Sequence, residues 1–95
     1  MRERTIEQYL VRRVKERDGL CIKLVGLVGL PDRLILLPIR VVIFVETKTA
    51  KGKLSPLQKW WEKTLKKLGF AHLVIRSKDE VDGLISQYNK AKNIS

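Results

Sequence analysis

The sequence predicts an α/β fold with elements in the order α-β-β-β-α-β-α and a mixed four-stranded sheet carrying helices on its faces. Three observations predict it. Apolar residues recur at helical spacing near both ends and in the middle of the chain. Two short, β-branched apolar runs broken by a proline stand between the first two helical segments. Capping residues, glycines and prolines mark each change of period. A chain of 95 residues has room for one domain, here 1–95 with a polar tail over about 90–95.

The first helix is expected over residues 3–17, where Ile6, Leu10 and Val14 share one side with Glu3 and Glu7. Asp18-Gly19 should end it, glycine accepting the left-handed cap. Leu20 to Val28 is expected as a strand, followed by a turn at Gly29-Leu30-Pro31. Leu34–Leu37 and Val41–Val45, separated by Pro38-Ile39-Arg40, form an antiparallel hairpin whose strands are apolar on both faces and so covered on both sides. Lys51-Gly52-Lys53 is a basic loop. Ser55-Pro56-Leu57-Gln58 opens the second helix: Ser55 caps, Pro56 takes the first position and Gln58 closes a capping box. Leu57, Trp60, Trp61, Leu65 and Leu68 supply its buried stripe, and Gly69 ends it. Phe70 to Ile75 is the fourth strand. Ser77-Lys78-Asp79-Glu80 is a second capping box, and Val81, Leu84, Ile85 and Tyr88 face the core from the last helix.

Composition narrows the class. No window approaches the apolar length of a membrane span, and no signal-peptide core is present, so a cytoplasmic protein is expected, without a membrane partner. One cysteine excludes an internal disulfide and fits a reducing compartment; within its apolar stretch Cys21 is expected as a small buried hydrophobe. One His and one Cys cannot build a zinc site, so any metal must be held by oxygen. Twenty Lys and Arg against ten Asp and Glu give a formal net charge of +10, which favours polyanions and above all nucleic acid.

Hairpin geometry points to chemistry. If the turn is centred on Ile39, cross-strand partners have numbers summing to 78, and Glu46 faces Asp32. Opposed residues hold their Cβ atoms about 4.5–5.5 Å apart. Two carboxylates so placed repel unless a cation lies between them, and Mg²⁺ or Mn²⁺ suits oxygen ligation. Lys48 shares the strand parity of Glu46 and projects on the same face. Such a site would polarise a phosphodiester and activate water, with Lys48 orienting that water or stabilising the developing charge. Glu7 could complete the coordination. The same residues also fit a simple turn at Asp32 and a solvated strand end at Glu46–Lys48.

Gly29-Leu30-Pro31-Asp32-Arg33, followed beyond the hairpin by Glu46-Thr47-Lys48, resembles the PD-(D/E)XK signature of restriction-endonuclease-like nucleases. Ser55-Pro56-Leu57-Gln58 resembles the downstream Gln motif of the VRR-NUC (virus-type replication-repair nuclease) family, and the resemblance covers nearly the whole chain. It implies a restriction-endonuclease-like core, Asp32 and Glu46 as metal ligands, Lys48 as catalytic lysine and Gln58 as a supporting residue, alongside its capping role. It also implies an acid on the first helix, Glu7 or, one turn earlier, Glu3. Lys23 resembles a recurrent basic position near the site. Thr47 departs from the usual apolar residue between Glu and Lys, a change expected to matter little if that side chain packs loosely, and the hairpin turn lacks the usual glycine.

Free-standing members of that family are similar to homodimeric, structure-selective nucleases of four-way (Holliday) junctions. The expected function is therefore a Mg²⁺- or Mn²⁺-dependent DNA endonuclease selective for branched DNA. The alternative is a non-catalytic or partner-dependent DNA-binding module. Trp60, Trp61 and the last helix are candidates for a dimer interface or, equally, for the small core. Lys23, Arg33, Lys51, Lys53 and Arg12 are the expected DNA contacts, with Arg4 and Arg13 beside them.

Overall fold

A computed structural model describes residues 1–94, and its elements follow the predicted order: α1 (Glu3–Lys15), β1 (Leu20–Lys23), β2 (Arg33–Leu37), β3 (Val41–Thr47), α2 (Pro56–Lys67), β4 (Ala71–Ile75) and α3 (Lys78–Ile94). The sheet runs β1-β2-β3-β4, antiparallel across the first two joins and parallel between β3 and β4. A parallel join needs a crossover, and α2 supplies it.

Alternation along the strands divides the sheet into two unlike faces. Ile35, Leu37, Ile43, Val45 and Ile75 turn toward α1 and α3, where they close the core with Ile6, Leu10 and Val14 and with Val81, Leu84 and Tyr88. The other face carries Leu34, Phe44, Glu46 and His72, and α2 lies on that side. Burial there is partial: Leu65 is the buried hydrophobic residue of α2, while Leu20, Ile22 and Phe70 stay exposed. The expectation that both faces are fully covered is corrected accordingly, because one 12-residue helix cannot roof four strands.

The hairpin register is the predicted one. Arg33 pairs with Val45 and Leu37 with Val41, each pair summing to 78. Without a glycine the turn still closes, because Ile39 and Arg40 both adopt left-handed backbone, at φ 68° and 60°.

Several boundaries differ from expectation. α1 stops at Lys15, and the left-handed residue behind it is Asp18 (φ 61°), not Gly19. Gly19 is required for close packing instead: a Cβ there would sit 2.7 Å from the Leu36 carbonyl oxygen. The first strand ends at Lys23 rather than Val28, since Gly26 turns the chain at φ 107° and leaves Val25, Leu27 and Val28 in solvent. In α2, Leu57, Trp60 and Leu68 are exposed rather than buried. Helix α3 runs on through Ile94, where a polar tail was expected; Ser95 of that tail lies outside the described residues. Among the described residues no helix is long and apolar enough to cross a membrane.

Candidate active site

The end of the β2–β3 hairpin gathers the site. One rung beyond the Arg33–Val45 pair, Asp32 and Glu46 come together where the sheet meets the start of α2. Glu46 is 3% exposed. Burial pushes its carboxyl up to about 8, and the charge of Asp32 and a hydrogen bond to it push the same way. Lys48 opposes the shift, and Glu3 adds to it. A carboxylate pair held this way has a standing deficit of positive charge.

Three neighbours orient the pair. Gln58 donates from Nε2 to Glu46 Oε2 at 3.2 Å, while its Oε1 accepts from the Ser55 amide at 2.8 Å. The Ser55 hydroxyl accepts from the Gln58 amide in return, so the capping box and the support of Glu46 are two ends of one side chain. Thr47 does not pack loosely, the condition on which its identity was expected to matter little. It is 1% exposed, and both its amide and its hydroxyl donate to Asp32 Oδ2 at 2.8 Å. An apolar residue there would keep only the amide bond.

Lys48 follows on the strand, half-buried, with its amide donating to the Ile75 carbonyl. The basic loop beyond it is tied down by Arg76, whose Nη1 donates to the carbonyls of Thr49 (2.8 Å) and Gly52 (2.5 Å). Lys51 and Lys53 remain exposed on that loop. From sequence, Thr47 stands out only as a departure from the family pattern, and Arg76 not at all. The hydroxyl beside Glu46 was a legible signal; nothing in the sequence couples Arg76 to residues 49–52.

Other expected site residues are not gathered at the carboxylate pair. Glu7 is bound to Arg33, with Oε2 accepting from Nε at 2.6 Å, and Arg33 also donates to the Cys21 carbonyl at 3.2 Å. This places Glu7 and Arg33 on the α1 side of the sheet and leaves Glu3 as the α1 carboxylate whose charge reaches Glu46. Arg33 is thus committed to an internal pair rather than free for phosphate. Lys23, its cross-strand partner, is exposed. Arg12 stacks over the Tyr9 ring, which Lys78 also approaches, and Arg13 pairs with Glu16 and Asp82.

Cys21 is half-buried, and burial pushes its thiol up to about 11, as suits an inert hydrophobe. The two tryptophans separate in role: Trp61 donates from Nε1 to the Val28 carbonyl at 3.2 Å, whereas Trp60, edge-on to it, is 54% exposed. The apolar side of α3 is spent on the core, which withdraws it as an interface.

No family model matches the chain. Its sequence is 40% identical over 81 residues to "Putative nuclease p44" of Acyrthosiphon pisum secondary endosymbiont phage 1, spanning 83% of this chain and 87% of that protein. A solved structure described as a VRR-NUC domain superposes with a TM-score of 0.84 at 35% identity, covering 90% of this chain and 96% of the other.

Proposed function

The chain belongs to the VRR-NUC family, and from that premise we propose that it is a divalent-metal-dependent endonuclease hydrolysing phosphodiester bonds in DNA, with a preference for branched forms such as four-way junctions. The observation that carries the reading is the buried Glu46 carboxyl against the half-buried Asp32, beside Lys48, a constellation that costs stability unless a cation joins it.

The donor set fits Mg²⁺ or Mn²⁺. Among the described residues no group of three or more His, Cys, Asp or Glu side chains converges, which excludes a closed zinc-type cage. Mg²⁺ characteristically keeps several waters and takes one or two carboxylates, as Asp32 and Glu46 would provide. When bound, such an ion lowers the pKa of a coordinated water and offsets charge on the scissile phosphate. The protein's own contribution is preorganisation. Thr47 holds Asp32, and Gln58 holds Glu46. From Lys48, Nζ donates hydrogen bonds to the water or to the phosphate oxygen on which charge develops. Of the two first-helix acids, Glu7 is bound to Arg33 and Glu3 adds weakly to the negative charge on Glu46. Lys51, Lys53 and Lys23 neutralise flanking phosphates without reading sequence.

Two strands of a symmetric junction require two sites, and a homodimer supplies them. The surface we assign to it is the open sheet face, where Ile22, Leu34 and Phe44 lie in one cross-strand row that Phe70 extends by its edge contact with Phe44.

The test is cleavage of matched linear duplex, splayed-arm and four-way-junction DNA with Mg²⁺, Mn²⁺ or EDTA, beside Lys48→Ala. Metal-dependent junction cutting that disappears in the variant while binding persists supports the nuclease. Tight binding without cutting under any metal would make the chain a DNA-binding module or a partner-dependent subunit.

A further inference from the structure

Residues 24–30 form a loop whose construction the site does not explain. Val25, Leu27 and Val28 are 76%, 62% and 81% exposed. The loop is nevertheless well anchored. Trp61 binds the Val28 carbonyl, the Leu30 amide donates to the Leu27 carbonyl, and Gly29 at φ 79° packs so closely on Leu57 that a Cβ would approach it to 2.8 Å. At its stem the Leu24 amide donates to the Asp32 carbonyl at 3.0 Å. Three apolar side chains are therefore held out in water by a braced backbone, on a loop whose stem is hydrogen-bonded to the backbone of Asp32.

The surroundings indicate what covers them. Lys23 stands at the stem of the loop and Lys59 on the helix that anchors it, with Asp32 closing the loop, on a chain of net charge +10. The second copy is assigned to the sheet face above; for the loop itself a polyanion complements the net charge of +10, which another copy would only repeat. A stacked linear duplex offers phosphates, and its base faces only at the cost of unstacking a step. Aliphatic side chains wedge most cheaply where a branch already interrupts the stack.

We propose that the 24–30 loop is a wedge that packs Leu27 and Val28 on unstacked nucleobases at a DNA branch and so sets the structure preference of the adjacent site. The inference rests on the DNA-nuclease reading above, and its test separates the two.

Leu27→Ser/Val28→Ser would be compared with the unaltered loop, binding being read in a Lys48→Ala background and cleavage without it. The DNA probes are a four-way junction carrying 2-aminopurine at the branch and a linear duplex of the same arms. The expected result is unchanged duplex affinity, a loss of about tenfold in junction affinity and cleavage, and loss of the 2-aminopurine fluorescence rise. Leu27→Phe should retain both the preference and the fluorescence rise, which distinguishes a wedge from a folding defect. Retained junction preference in the double-serine variant overturns the wedge alone. So does an equal loss on both DNAs, or a changed sedimentation coefficient without DNA, which would make the loop a protein interface. If the unaltered protein neither binds nor cuts either DNA, the nuclease reading fails and the wedge with it.

Discussion

Glu46→Gln separates the electrostatics of the site from its shape. Glutamine keeps the side-chain length, can accept from Gln58 through its oxygen and can donate to Asp32 through its amide, but it carries no charge. In the metal-free protein the Glu46 carboxyl is raised from 4.5 to about 8, so between those values the folded state holds a proton that the unfolded chain has lost. Stability must then fall as pH rises through that window. At about pH 7.5 the carboxyl is kept neutral some three pH units above its ordinary value, which at 1.36 kcal/mol per unit corresponds to about 4 kcal/mol. Relaxation of the side chains and entry of water lower this, leaving an expected gain of ~2–4 kcal/mol for Glu46→Gln at that pH in EDTA. Near pH 5 the gain should shrink below about 1 kcal/mol. The assay is urea denaturation at both pH values in EDTA, repeated with Mn²⁺. Mn²⁺ should stabilise the unaltered protein, by ~2.7 kcal/mol at a hundred times its dissociation constant, and leave the variant unmoved. A variant less stable than the unaltered protein at pH 7.5, or a gain equal at both pH values, would refute the reasoning.

Four further outcomes are expected. Thr47→Val removes one of two hydrogen bonds to Asp32 in a buried site and should cost ~1–2 kcal/mol in denaturant titrations while lowering cleavage more than DNA binding; unchanged cleavage would deny Thr47 its positioning role. Ser55→Ala deletes the cap and should cost ~1 kcal/mol with kcat preserved, whereas Gln58→Ala should lose both stability and kcat, since it also abandons Glu46. Arg40→Gly relieves a left-handed residue at an exposed turn and should stabilise by ~1 kcal/mol; a lower melting temperature would contradict this. His72 is buried with its Nδ1 unsatisfied, 3.6 Å from Glu62, and burial lowers its pKa despite that carboxylate. Its contribution is complete above about pH 6.5 and lost as pH falls below it, so denaturation in a Glu46→Gln background, free of the opposing Glu46 titration, should show stability declining from pH 7 to 5. Replacing His72 by glutamine should flatten that decline.

Much of the fold was legible because it rests on local chemistry. The order of elements follows from period, caps and breakers, and Ser55-Pro56-Leu57-Gln58 opens a helix in the structure as its residue types require. The hairpin register was legible too: a turn centred on Ile39 makes cross-strand numbers sum to 78, as Arg33–Val45 and Leu37–Val41 do. Asp32 and Glu46 could therefore be set opposite each other from numbers alone.

What the sequence could not determine depends on contacts between elements remote along the chain. Leu20 to Val28 has the composition of one long strand, yet it breaks at Lys23 because Gly26 turns and Trp61, 33 residues beyond Val28, captures its carbonyl. Leu57, Trp60 and Leu68 lie on a helical stripe, yet they are exposed because α2 covers mainly β4 and periodicity cannot say how much sheet a helix meets. Glu7 and Glu3 share one side of α1 in the sequence pattern. Their fates divide only when Arg33 arrives from β2 and binds the first. Residue types and spacing were enough to set Asp32 opposite Glu46; which acid, hydroxyl and guanidinium meet was decided by tertiary packing, where a charge finds its partner by distance in space.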